Sequence, residues 1–322
     1  MTRVLITGAA GFIGSHVVEA LVRRGDEVIG IDNFDPFYPR AMKEGNLAEM
    51  GPLPAFTFHE QDMLDVEALQ ARLTPDTVIV HLAAKAGVRP SLADPVGYAR
   101  ANVTGTAAVI EAARRAGVSR FVFGSSSSIY GDSTPVPFRE DAAAIEPVSP
   151  YAATKRAGEL FLDSVAPIYG FRAASLRFFT VYGPRQRPDL AIHAFARKMM
   201  KGETITLFGD GTQARDYTYC DDIVAGVIAA VLWTETAPIG VEAFNLGGNR
   251  SIPTGDMVAE IAGAMGIEPR IQWGPMQPGD VQRTAADLGK SGAVLGYGPK
   301  TPFPEGIRRF VRWFREAHGR SN

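Results

Sequence analysis

The chain has 322 residues, enough for a large core and for one elaborated domain or two. With 33 Lys and Arg against 35 Asp and Glu, its net charge of −2 gives no whole-chain field for nucleic acid or an anionic membrane. One cysteine, Cys220, cannot close an internal disulfide, and no apolar run is long enough to span a bilayer, so a cytoplasmic protein is expected.

Val4 to Thr7 reads as a short buried strand that runs into Gly8-Ala-Ala-Gly11-Phe12-Ile13-Gly14 and then into helical residues Ser15 to Arg24. Gly25-Asp26 turns the chain into a second apolar strand, Glu27 to Ile31. Glycines at such a corner let backbone approach a pyrophosphate, and the helix N-terminus behind them favours negative charge. The spacing Gly-x-x-Gly-x-x-Gly differs from the general dinucleotide fingerprint Gly-x-Gly-x-x-Gly. Asp32 follows the second strand, close to the ~20-residue offset at which a carboxylate accepts from adenosine ribose hydroxyls. It would repel a 2′-phosphate, so NAD is expected over NADP, with Asn33 beside it.

Residues 34 to 54 read as loop around a short helical patch near Ala41 to Glu49, with prolines at 36, 39, 52 and 54. Ala55 to His59 is a third strand leading to Asp62 and Met63, which read equally as an adenine contact or a helix cap. Thr77 to Leu82 is a fourth strand that ends in Ala83-Ala84-Lys85, a small-residue corner suited to a cofactor across the strand ends. Val96 to Ala116 reads as one long alanine-rich helix containing Asn102, open to a dimer contact or to burial within the chain.

Arg120 to Gly124 is a fifth strand, ending in Ser125-Ser126-Ser127-Ser128. Ser149-Pro150 opens a helix to Tyr169, and Arg172 to Phe178 is a sixth strand. Tyr151 and Lys155 lie four apart on one face of that helix. An ammonium close to a phenol favours the phenolate and lowers its pKa from the ordinary ~10 toward neutrality. The pair then exchanges a proton with a substrate hydroxyl at working pH. Alone, such a pair is more often a solvated helix face; the glycine corner and the serine strand end point at the same helix and reverse that weighting.

Alternating strands and helices predict a doubly wound α/β fold of the Rossmann type over residues 1–180. Residues 181–322 read mainly as a smaller substrate lobe, with 221–250 returning to the first domain and Phe244 to Leu246 rejoining its sheet. Further helices are expected at Leu190 to Lys201, Asp221 to Trp233, Thr254 to Met265 and Phe303 to Glu316, and a strand at Ile205 to Phe208.

Together the glycine corner, the acid after the second strand, the serines after the fifth and Tyr-x-x-x-Lys resemble the extended short-chain dehydrogenase/reductase family. Within it the chain looks like the NAD-dependent nucleotide-sugar epimerases, with Phe178-Phe179-Thr180-Val181-Tyr182-Gly183-Pro184, Gly209-Asp210-Gly211, Arg215-Asp216-Tyr217 and Pro278-Gly279-Asp280 as matching pieces. The resemblance implies a catalytic set of Ser126, Tyr151 and Lys155, bound NAD that is recycled, a UDP-sugar substrate, no metal and a homodimer. It implies cofactor contacts from Gly8, Gly11, Phe12, Ile13, Gly14, Asp32, Asn33, Asp62, Met63, Leu82, Ala83, Ala84 and Lys85.

Related 4,6-dehydratases carry Asp-Glu directly after the catalytic hydroxyl residue, where this chain has Ser127 and Ser128, and related decarboxylases place a Glu in this loop. Serine hydroxyls do not perform that acid-base work at neutral pH, so C4 epimerisation is expected. Hexose epimerases commonly have Asn at Thr180. The run through Arg187-Pro-Asp-Leu-Ala191 is more similar to UDP-glucuronate 4-epimerases, with UDP-glucose/UDP-galactose epimerisation or a net NAD(P)H-dependent reduction as alternatives. Ser127, Ser128 and Thr180 are expected at the uronate carboxylate. Phe208 is expected against uracil, Arg215 on the pyrophosphate and Asp280 on the uridine ribose. Arg89, Arg185, Ala191, Ile192, Phe195 and Thr206 complete the expected substrate contacts.

Overall fold

The computed structural model describes residues 1–142, 145–209, 211–275 and 282–319. Six strands follow in chain order: β1 (Arg3–Thr7), β2 (Glu27–Asp32), β3 (Phe56–Glu60), β4 (Val78–His81), β5 (Arg120–Ser126) and β6 (Arg172–Phe178). A seventh, Gly240–Leu246, pairs with β6, and the sheet runs 240–246, β6, β5, β4, β1, β2, β3 with every pair parallel. The expected Rossmann-type sheet is present, with the returning strand at its edge.

Successive side chains of a strand point to opposite faces, so β1 supplies two cores at once. Val4 and Ile6 join one cluster with Val17, Val18 and Leu21 of helix α1 (Phe12–Arg23), while Leu5 joins another with Leu162 of the Pro150–Tyr169 helix. Hydrophobic runs rather than alternating patterns follow from burial on both faces. The first cluster continues without a break into Tyr182, Leu207, Ile252, Ile307, Phe310 and Phe314 of the C-terminal lobe. That lobe carries a three-stranded sheet (Ser251–Pro253, Ala214–Tyr219, Thr180–Tyr182) and a parallel pair, Ile205–Phe208 with Ile271–Gly274. Helices Ala191–Met200, Thr254–Met265 and Phe303–His318 pack around them.

The short helical patch expected near Ala41 to Glu49 is a three-turn helix, α2 (Arg40–Met50), which buries the polar Lys43 and Asn46 and so shows little apolar periodicity. One segment differs from expectation. The expected single helix over 96–116 is Pro95–Tyr98 and Gly105–Arg115, joined by a π-helical turn at Ala99–Thr104. Such turns mark a local demand that overrides the regular ladder, and here the demand is made by Asn102.

Candidate active site

The chain winds in opposite directions from β1 and β4, so their carboxyl ends part and open a crevice. The cleft there holds about 1140 Å³ of empty space, its open mouth included. Gly8, Gly11, Phe12, Ile13, Gly14, Asp32 and Asn33 line one side, and Met63, Leu82, Ala83, Ala84 and Lys85 another. Tyr151 and Lys155 close its far end. Asp62 accepts from Asn33 Nδ2 at 3.1 Å and from the Leu64 amide, bridging the ends of β2 and β3. The cap of the next helix is Asp65, which accepts from the Ala68 amide.

The glycine corner has no room for side chains. A Cβ on Gly14 would lie 2.0 Å from the Gly8 carbonyl oxygen, and one on Gly8, at φ 76°, would lie 2.9 Å from the Ala83 nitrogen. Backbone at the head of α1 is therefore bare, as close approach of a pyrophosphate requires. Asp32, 6% exposed, accepts from the Phe34 amide and from Lys43 Nζ at 3.0 Å, both on Oδ1. These residues fit a dinucleotide with an unphosphorylated 2′-hydroxyl.

A buried chain of hydrogen bonds fixes the crevice floor. Thr7 Oγ1 accepts from the Leu82 and Ala83 amides and lies 2.7 Å from His81 Nδ1. His81 Nε2 reaches Thr106 Oγ1, which donates to the Asn102 carbonyl. Burial and the Lys155 charge push the His81 pKa down to about 3, so this imidazole is a neutral structural link. The Asn102 amide accepts from Lys85 N at 2.8 Å and donates to Lys85 O and Thr154 Oγ1, both at 2.9 Å. The π turn thus delivers Asn102 between the β4 corner and the Tyr151 helix.

Ser149 caps that helix by accepting from the Ala152 amide, and Pro150 occupies its first turn, where a missing N–H costs nothing. Gly158 lets the helix press onto β5, since a Cβ there would come 2.4 Å from the Phe123 ring. Tyr151 and Lys155 point into the cleft from this rigid element. The Tyr151 hydroxyl bonds Ser126, whose Oγ also accepts from the Ser128 amide and hydroxyl at 3.2 and 3.0 Å. Lys155 Nζ donates to the Gly124 carbonyl at 2.7 Å.

The expected lowering of the Tyr151 pKa by Lys155 is not found. Burial raises it, opposed by the Ser126 hydrogen bond and then by the charge of Arg187. The Lys155 pKa is pushed down to about 8 by burial, with Glu159 opposing. The i, i+4 spacing aligns the two side chains but does not make them partners, because the ammonium is drawn to a strand-end carbonyl.

Arg187 is the site residue that sequence reasoning missed as a functional group. From the C-terminal lobe it enters the cleft, donates to the Ala86 carbonyl at 3.2 Å, pairs with Asp189 at 2.7 Å and lies over the Phe37 ring. Its only sequence signal was its place in the Arg-Pro-Asp-Leu-Ala run. Arg185, expected at substrate, turns the other way. Held at φ 62°, it pairs with Glu19 of α1 at 2.8 Å and Glu49 of α2 at 2.9 Å, stapling the lobe to the cofactor domain. The Ile192 side chain is 1% exposed within the main core, so it too faces away from the cleft.

The other expected substrate residues that the structure describes are not among the side chains lining this cleft. Ser127 and Ser128 begin a short 3-10 turn, Ser127–Tyr130, and Thr180 opens a strand of the lobe two residues beyond Phe178, which lines the cleft. Arg89 stacks over the Phe208 ring at 5.2 Å, and Thr206 on the same strand accepts from Gln272. Arg215 sits on the 214–219 strand, while Ala191 and Phe195 lie on the first two turns of one helix. Asp280, with Asp210, lies outside the described residues.

Residues 4–247 match the NAD dependent epimerase/dehydratase family. The chain belongs to that family. Among its relatives, a UDP-glucuronate 4-epimerase of Thermodesulfobacterium geofontis is 38% identical over 97% of this chain and 96% of its own length. The Bacillus cereus UDP-glucuronic acid 4-epimerase, solved with UDP-glucuronic acid and NAD, superposes with a TM-score of 0.91 at 34% identity, covering 98% of this chain and all of that one. A Thermotoga maritima UDP-glucose 4-epimerase solved with UDP-glucose gives 0.87 at 32% identity, over 98% and 99% of the two chains. The glycine corner and the helix carrying Tyr151 and Lys155, on which the resemblance rests, frame this cleft.

Proposed function

We propose that the protein is an NAD-dependent 4-epimerase of UDP-sugars that interconverts UDP-glucuronate and UDP-galacturonate. The observation that carries this reading is the hydroxyl cluster at the end of β5, in which Ser126 bonds Tyr151 and Ser128 with no carboxylate at 127 or 128. Such a cluster handles the proton of a sugar hydroxyl and lacks the groups for elimination.

Ser126 orients the C4 hydroxyl, and Tyr151 takes its proton and later gives one back to the same oxygen. Bound NAD supplies the hydride acceptor of the oxidation and the donor of the return. Between the two steps the 4-keto sugar turns, and Lys155 keeps a positive charge beside the strand end on which Ser126 sits. Oxidised at C4, glucuronate is a β-keto acid, which loses CO₂ when its C5–C6 bond aligns with the carbonyl π system. Ser127, Ser128 and Thr180 hold the carboxylate out of that alignment. Phe208 and Arg215 serve the UDP end, with Arg89 beside Phe208.

Similarity to uronate epimerases from two organisms favours the uronate. UDP-glucose and UDP-galactose form the second reading, favoured by the likeness to the Thermotoga enzyme. We also propose a homodimer. Phe161 and Ile168 share one face of the Pro150–Tyr169 helix, 40% and 73% exposed, and Val96 is 79% exposed. A dimer covers these apolar side chains, and light scattering at the expected doubled mass checks it. No helix among the described residues is long and apolar enough to cross a membrane, and we place the enzyme in the cytoplasm.

The deciding experiment incubates purified protein with UDP-glucuronate, runs UDP-glucose in parallel and follows products by NMR. UDP-galacturonate should form with no net change in nicotinamide absorbance. Stoichiometric consumption of reduced nicotinamide would instead show a reductase. Tyr151→Phe should lose roughly 10²–10⁴ in turnover, the usual share of a general acid-base; full activity in that variant would overturn the mechanism.

A further inference from the structure

Behind the serine turn lies a buried ion pair that the reaction as described does not use. Glu159 stands one helical turn beyond Lys155 and is 2% exposed; Arg177, on β6, is 3% exposed. Glu159 Oε1 accepts from Ser125 Oγ at 2.7 Å and from Arg177 Nε at 3.0 Å. Its Oε2 accepts from Arg177 Nη2 at 3.1 Å and Arg156 Nη1 at 2.9 Å. Arg177 Nη1 then donates to Tyr130 Oη at 2.8 Å and to the Glu140 carbonyl at 3.2 Å, and Tyr130 donates on to Asn245 Oδ1 at 2.8 Å.

The two ends of this network matter. Ser125 immediately precedes Ser126, and Tyr130 closes the turn Ser127–Tyr130 that follows it. One ion pair thereby grips the serine segment on both sides, using the catalytic helix, β5, β6 and the 240–246 strand as its frame. Burying two charges offsets most of their attraction, and apolar side chains of similar volume fill such a place about as well. A side-chain fork that fixes direction does what apolar packing cannot: it sets where the neighbouring hydroxyls point.

We infer that Glu159 and Arg177 are positioning residues that hold Ser126, Ser127 and Ser128 in register with Tyr151, so that the reacting hydroxyl and the sugar carboxylate meet fixed partners. Neither residue is in the catalytic set, and both act through Ser125 and Tyr130. The inference rests on the epimerase reading for its kinetic consequence but not for its structural one.

The test uses the full-length NAD-bound enzyme with two alterations, Tyr130→Phe and the double change Glu159→Met with Arg177→Leu. Tyr130→Phe keeps the ring that stacks on Phe138 and removes the hydroxyl through which Arg177 and Asn245 hold the turn. Both should melt cooperatively and bind NAD as the parent does. Turnover should fall about tenfold or more, as small misplacements of reacting groups do, with KM little changed and a larger fraction of decarboxylated pentose product. Amide hydrogen exchange over 126–130 should quicken while exchange in β1 and α1 stays as in the parent. That measurement needs no substrate, so it stands even where the parent turns over neither UDP-sugar and the epimerase reading fails. Should the double variant not fold, Tyr130→Phe decides alone. Parental exchange over 126–130 in folded Tyr130→Phe, with parental turnover and product ratio, would overturn the inference.

Discussion

Lys155 Nζ donates to the carbonyl oxygen of Gly124, 2.7 Å away, and so ties the catalytic helix to the end of β5 just before the serines. The lysine is 5% exposed and has one strand-end carbonyl to share its charge with, which makes its ionisation sensitive to pH. Burial raises the Tyr151 pKa, and it is Ser126 and Arg187, not Lys155, that oppose the rise.

Burial brings the Lys155 pKa down to about 8, against ~10.4 for an unperturbed lysine. Between those values the unfolded chain binds more protons than the folded one, so this group's contribution to stability rises with pH from about 8 upward. Below 8 its unfavourable contribution is present in full. Thermal melts across that window should show Lys155→Met gaining on the parent at neutral pH and the gap closing in alkali.

Arg187→Ala removes the cation that opposes the burial of Tyr151. The phenol pKa then rises further, and proton abstraction needs higher pH. The rising limb of the pH profile should move to the alkaline side, with about a tenfold loss of turnover at neutral pH. An unmoved limb with lost activity would assign Arg187 to substrate contact alone.

Gly14→Ala puts a methyl group 2.0 Å from the Gly8 carbonyl oxygen, and backbone must shift to admit it. Overpacking of this kind costs roughly 1–3 kcal/mol. The distortion falls on the corner meant for the pyrophosphate. A lower melting temperature should accompany weaker NAD binding, read by nucleotide titration.

Asp32→Ala leaves Lys43 without its carboxylate at the adenosine end of the cleft. NAD loses a charged hydrogen-bond acceptor worth about 1.5–3 kcal/mol, while a 2′-phosphate gains a cation and loses a repelling charge. Affinity for NAD should drop at least tenfold and the preference over NADP should shrink or reverse, as measured by competitive titration.

Thr180→Val keeps shape and deletes a hydroxyl at the expected place of the uronate carboxylate. The share of pentose by-product should rise, read by NMR of the product mixture. An unchanged ratio removes Thr180 from that role.

Local chemistry in the chain determined much of this protein by itself. The apolar runs, the glycine corner, Asp32 and the i, i+4 spacing of Tyr151 and Lys155 are short-range patterns, each with a short-range physical cause. They placed the sheet and lined most of the cofactor cleft in advance. Tertiary structure alone decided what depends on groups far apart in sequence. Arg185 and Arg187 are two residues apart, yet one staples α1 and α2 and the other enters the cleft. Helix α2 was legible as a short helical patch, but not that its Lys43 and Asn46 are buried, because their partners are Asp32 and the Ala10 carbonyl, distant in sequence. The Tyr151 pKa is raised by burial, opposed by Ser126 and by a cation 36 positions later in the chain, and no local spacing contains these causes.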